Sequence, residues 1–201
     1  MAEKIPRKGE RTRSSILEAA YGLFIEQGYH ATSMRQIAER SGLALGGIYN
    51  HFSGKEAIFA EIIIDRHPYK QILPLLMNAP GDDVEQFVWN AARTMVEGLG
   101  RRSDFFKLMF IEVVEFNGRN MPRLMEVVIP QVLPLIQRFS KDSVRPIPPF
   151  ILFRVFIGLF FSYYITELFI ANTPIAASQK EALDHFVAIF LRGILNNEER
   201  P

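Results

Sequence analysis

The apolar positions of this 201-residue chain recur in steps of three and four from end to end. That spacing lays them along one side of a helix. Ile16, Ala20, Leu23 and Phe24 make the first such face, and Gly28 follows as a stop. Ser33 and Gln36 stand at capping-box spacing ahead of Ile37 and Ala38, and Gly42 breaks that helix. A short helix is predicted over 44–52. Ser53-Gly54 then breaks the chain before a helix that begins at Lys55 and carries Ile58, Phe59, Ile62 and Ile63. Pro68 and Pro74 should bend or end it.

The second half is richer in apolar residues. Val84, Phe87, Val88, Ala91, Ala92, Met95, Val96 and Leu99 form an unbroken stripe behind Asp82 or Asp83. A helix apolar almost all round runs from Ser103 or Asp104 to Phe116, with Asn117-Gly118 as the turn. Another covers 121–139, interrupted by Pro130 and Pro134. An apolar segment covers 150–171, and a last helix over 179–196 carries Leu183, Phe186, Val187, Phe190, Leu191, Ile194 and Leu195. No run alternates as a strand would. The pattern predicts an all-α chain with a boundary near residue 66. A small N-terminal unit (1–66) precedes a larger helical domain (67–201).

Charge adds one local feature. The chain is 48% hydrophobic and 22% charged, with a formal net charge of +1, so no polyanionic partner is advertised overall. From Lys4 onward, Lys4, Arg7, Lys8, Arg11 and Arg13 stand against one acid, Glu10, which reads as a basic arm over 1–13, suited to phosphates. There are no cysteines. His30, His51, His67 and His185 are scattered without metal-ligand spacing, so neither a metal nor a cofactor is expected. No serine sits on a nucleophile turn, and no glycine-rich loop follows a strand, so the chain does not read as an enzyme. Glu112 and Glu115 are either paired carboxylates facing an interior or a solvated edge. The 150–171 segment carries Arg154 and Glu167, which a lipid-facing helix tolerates poorly. Burial in protein is the preferred reading, with a membrane anchor as the alternative and a helical lipid carrier as another.

Residues 33–52 then read as a helix-turn-helix. Gly42 can take the positive φ of a tight inter-helix turn. Ile37, Ala38, Leu43 and Ile48 lock the pair, while Leu45, Gly46, Gly47, Tyr49, Asn50 and His51 face outward. Small and polar groups on such a face fit a DNA major groove.

The stretch from Thr32 to Glu56 resembles the TetR family of bacterial regulators, above all in Tyr49-Asn50-His51-Phe52-Ser53-Gly54-Lys55. The resemblance covers the first quarter to third of the chain. It implies phosphate contacts by Tyr49, His51 and Lys55, with Thr32 or Ser33 capping the second helix and reaching a phosphate. It places Arg35 against a base edge and Leu45, Gly47 and Asn50 in the groove. Ala44 departs from the family's Ser or Thr cap, and Gly46 and Gly47 soften a short helix further. The partners implied are double-stranded DNA with a palindromic operator and a second copy of the chain, in the cytoplasm and without a membrane. The last two helices would pair with their copies through Phe186, Phe190 and Ile194. The apolar excess suggests a pocket for a small hydrophobic or aromatic effector, lined by Trp89, Met109, Phe110, Glu115, Phe116, Met125, Phe156, Phe160 and Tyr164. The expected function is a repressor released from its operator by that effector.

Overall fold

The computed structural model describes residues 8–67, 69–100, 103–140, 142–174 and 181–196. These residues form α1 (Lys8–Gln27), α2 (Met34–Ser41), α3 (Leu45–Tyr49), α4 (Lys55–Arg66) and α5 (Tyr69–Met77). They continue as α6 (Val84–Gly100), α7 (Ser103–Phe116), α8 (Met121–Gln137), α9 (Pro149–Ile170) and α10 (Ala182–Ile194). Among the described residues there is no strand beyond an isolated bridge between Val144 and Leu195.

Contacts divide the chain into two compact units, Met1–His67 with Ser103–Glu126 and Pro68–Arg102 with Val127–Pro201. This differs from the 1–66 and 67–201 division. α7 and the start of α8 pack with the N-terminal helices, although sequence order assigns them to the second domain. The cause is aromatic. Phe116 stacks on Phe59 of α4 with centroids 4.6 Å apart and meets the Tyr29 ring edge-on at 4.9 Å. Near the other end of α7, the Tyr21 hydroxyl donates to Asp104 at 3.3 Å.

The first unit is built around Ile16, Ala20 and Phe24 of α1, Ile37 and Ala38 of α2, Ile48 of α3, and Ile58, Phe59, Ile62 and Ile63 of α4, all buried. α1 already begins at Lys8, so Lys8, Arg11 and Arg13 of the expected basic arm belong to a helix. Lys4 and Arg7 lie outside the described residues.

In the second unit, α6 buries Val84, Phe87, Val88, Ala91, Ala92 and Met95, as its stripe predicts. Phe139 joins Phe87 (5.5 Å) to Phe156 of α9 (5.8 Å), and Phe156 meets Phe190 of α10 at 5.6 Å. Gly81 is obligatory here: its φ is +148°, and a Cβ would lie 2.4 Å from the Phe87 nitrogen. α9 turns Leu152, Phe156, Phe160 and Tyr164 into this core and leaves Ile151, Val155, Phe161 and Phe169 outside.

The stripe assigned to self-association is corrected by the same packing. Phe190 is 3% and Ile194 4% exposed, so both belong to the unit's own core. Phe186 is half-buried against the Tyr163 ring at 5.2 Å. A helical apolar stripe marks a buried face without naming what buries it. The outward apolar residue of α10 is instead Ile189, 65% exposed.

Candidate nucleic-acid interface

α2 is capped at both ends by its own sequence. The Ser33 hydroxyl accepts the Gln36 N–H at 3.2 Å, and the Gln36 side chain accepts the Ser33 N–H at 2.7 Å. At the other end Gly42 turns the chain with φ +72°. The Leu43 N–H donates to the Ala38 carbonyl at 2.9 Å, closing the turn. α3 therefore starts in a defined direction. It buries Ile48 completely and leaves Leu45 and Tyr49 42% and 53% exposed, with Asn50 exposed beside them. Ala44 makes no side-chain cap. A Cβ at Gly46 would meet nothing within 4 Å, so the fold does not require that glycine.

The polar residues around α3 divide into those facing outward and those already used. Arg35 is exposed on α2 and donates to Glu39, one turn away, at 3.0 Å. Thr32 is buried: its hydroxyl donates to the Gly28 carbonyl at 2.8 Å and accepts from Gln27 at 3.2 Å. It locks the α1–α2 loop, and the cap belongs to Ser33 alone. Arg40 reaches from α2 to α1 and donates to Glu26 at 2.6 Å. That hydrogen bond holds the Glu26 carboxyl below its usual range.

Lys55 sits at the start of α4 and is half-buried. Its ammonium donates to the Tyr29 and Thr32 carbonyls, each at 2.7 Å, and lies 4.2 Å from the centre of the Tyr29 ring. Burial pulls its pKa down, opposed by the nearby Glu115 carboxylate. The Tyr29 phenol is pushed up to about 12, first by burial and then by Glu56 and Glu115. Two of the ammonium's three protons are thus spent on the loop before α2. A cavity of about 420 Å³ lined by Tyr29, Ser53, Gly54, Lys55, Glu56 and Ala57 opens there. His51 is half-buried, and its carbonyl accepts from Arg13 at 2.9 Å. Phe52 is core.

Residues 16–62 match the family model of bacterial regulatory proteins of the tetR family. The HTH-type transcriptional regulator YdgC of Bacillus subtilis is 31% identical over 137 residues, covering 66% of this chain and 69% of that protein. YvkB, another HTH-type transcriptional regulator from B. subtilis, is 24% identical over 188 residues, covering 91% of this chain and 97% of that protein. Among solved structures, NalD of Pseudomonas aeruginosa superposes with a TM-score of 0.65 at 22% identity, covering 94% of this chain and 100% of its own. The chain belongs to the TetR family. It is a transcriptional regulator with a DNA-binding helix-turn-helix, and the proteins it is similar to are regulators and not enzymes.

In this TetR-family chain the nine residues suggested for an effector pocket fall in both units. Met109, Phe110, Glu115, Phe116 and Met125 belong to the first, and Trp89, Phe156, Phe160 and Tyr164 to the second. Phe116 is committed to Tyr29 and Phe59, while Phe110 and Met125 are exposed. Glu115 pairs with His30. Trp89 is half-buried, while Phe156, Phe160 and Tyr164 are buried together on α9. Glu112 and Glu115 do not converge. Glu112 is buried and accepts the Asn120 N–H (2.7 Å) and side-chain amide (2.8 Å), tying off the α7–α8 turn. The tethering roles of Arg13, Lys55 and Glu112 were not legible in the sequence, because each depends on a partner 8 to 48 positions away.

Proposed function

We propose that this TetR-family regulator is a cytoplasmic homodimeric repressor. It reads a palindromic operator with α3 and leaves it when a small apolar effector binds the second unit. The observation that carries the reading is the outward face of α3, where Leu45, Tyr49 and Asn50 stand exposed beside a fully capped α2. Leu45 suits a thymine methyl, Asn50 an adenine edge, and Tyr49 a phosphate. Arg35 exchanges Glu39 for a base edge, and Lys55 gives its remaining proton to a phosphate. NalD is described as the secondary repressor of the MexAB-OprM multidrug efflux pump, which favours repression over activation here.

Two copies are needed to read two half-sites roughly 34–36 Å apart. The outer faces of α9 and α10 support pairing. Ile151, Val155, Phe161 and Ile189 are exposed, with Gly158 and Gly193 between them and nothing within 4 Å of a Cβ at either. Such a face favours close helix packing in a four-helix bundle over lipid, since Arg154 lies on it. An apolar effector would have to part the packed row of Phe156, Phe160 and Tyr164, which is buried in the unit's own core. Release follows only if that ligand prefers a dimer geometry that misses the operator spacing.

Sedimentation of the chain with and without its selected DNA tests the pairing. Two copies per operator are expected, and Ile189→Glu should yield folded monomers that bind the palindrome poorly. A wild-type monomer that occupies each half-site independently would contradict the reading.

A further inference from the structure

On the footing of the DNA-binding reading above, we propose that Arg13 is a positioning residue for α3, holding the reading helix in its docking orientation without itself touching DNA. The need for such a residue follows from α3 itself. It has five residues, two of them glycine, and no side-chain cap. A helix of that length does not stand alone in water. Ile48 inside it and Phe52 just beyond it are buried and fix one side, and the turn that leaves it at His51 needs a tether.

Arg13 supplies it. From α1 its guanidinium donates to the His51 carbonyl at 2.9 Å, just past the end of α3. The same plane lies over the Phe52 ring, 4.1 Å from its centre. Nε donates to Glu61 of α4 at 2.7 Å, and Nη2 donates to the other oxygen of that carboxylate. One planar cation thus joins α1, the end of α3 and α4 through a fork that only arginine offers. The Glu61 carboxylate neutralises Arg13 at contact range. The residue therefore offers a phosphate little net charge, against what its place in a run of basic residues suggests.

The test compares the full-length wild type with Arg13→Lys, Arg13→Ala and Glu61→Gln, at a temperature where each is folded by circular dichroism. Affinity for the selected operator and for scrambled DNA is measured across a salt series, together with thermal unfolding. Positioning predicts that the ratio of operator to scrambled affinity falls on the order of tenfold in all three variants, as loss of a charged hydrogen bond to α3 implies. The slope of log affinity against log salt should stay that of the wild type. Arg13→Lys, which keeps the charge, should not rescue, and Glu61→Gln should weaken selection.

A direct phosphate contact predicts the reverse. The slope would drop by about 0.9 in Arg13→Ala, Arg13→Lys would restore it, and Glu61→Gln would tighten binding by removing a negative charge. That result overturns the proposal, as does a lower unfolding temperature with unchanged selectivity. If Arg13→Ala does not fold, Arg13→Lys and Glu61→Gln carry the same comparison. A wild type that selects no sequence would instead overturn the DNA-binding reading together with this one.

Discussion

α2 and α3 pack against each other and are built on opposite plans. α2 carries its own instructions: a capping box at Ser33 and Gln36, and a left-handed Gly42 at its end. α3 carries almost none, with Ala44 at its cap and Gly46 and Gly47 in its first turn. What α3 lacks locally it receives from elsewhere. Ile48 and Phe52 are buried, Arg13 holds the His51 carbonyl, and Lys55 fixes the loop from which α2 departs. The difference separates two tasks. The supporting helix can be optimised for stability. Under the proposed function α3 leaves its outer face to DNA, so its order comes from the side it buries.

Substitutions that touch each plan separately break or sharpen this contrast. The largest effect is expected from Ile48→Ala, which removes the anchor of α3 at a site with no solvent exposure. A loss of about 2–5 kcal/mol is expected in denaturant unfolding, with sequence-selective DNA binding abolished. Lys55→Ala comes next. It leaves the Tyr29 and Thr32 carbonyls without their donor, at about 1–3 kcal/mol. Thermal unfolding should register that loss alongside weaker DNA binding, whereas a pure phosphate contact would change the salt dependence and leave stability alone. Ser33→Ala should cost about 1 kcal/mol through the lost cap of α2, read by chemical denaturation. The smallest change is a gain. Ala44→Ser gives α3 the side-chain acceptor it lacks and should raise stability by up to about 1 kcal/mol. If Ser33→Ala is silent and Ala44→Ser destabilises, the division between a self-capped and a supported helix fails.

The same contrast explains how much could be read without coordinates. The ends of α1 and α2 were legible because Gly28, Ser33, Gln36 and Gly42 act on their immediate neighbours. Ile37, Ala38 and Ile48 are buried as the sequence pattern predicts, although Leu43 is only half-buried. Legibility stopped where a residue's role depends on a distant partner. Arg13 looked like part of a basic arm until Glu61 and His51 were placed beside it. Thr32 resembled a second cap, but its hydroxyl turns back to Gly28. α7 followed the boundary in sequence, yet Phe116 belongs to the aromatic cluster of α1 and α4. Phe190 and Ile194 form a true apolar stripe whose partner is the chain's own core, leaving Ile189 outside. Periodicity identifies a buried face, and only the packing identifies its neighbour.

The proposed function rests on the outward face of α3, carried by α2, reading a DNA sequence. Selection from a random pool of duplex DNA by the full-length protein tests it most directly. The expected result is a two-fold symmetric motif whose half-sites are centred roughly 10–10.5 base pairs, or a multiple of that spacing, apart. The preference within each half-site should be lost when Leu45 and Asn50 are both replaced by alanine. A pool that stays unselected by the wild type, or a motif that survives the double substitution intact, would contradict it.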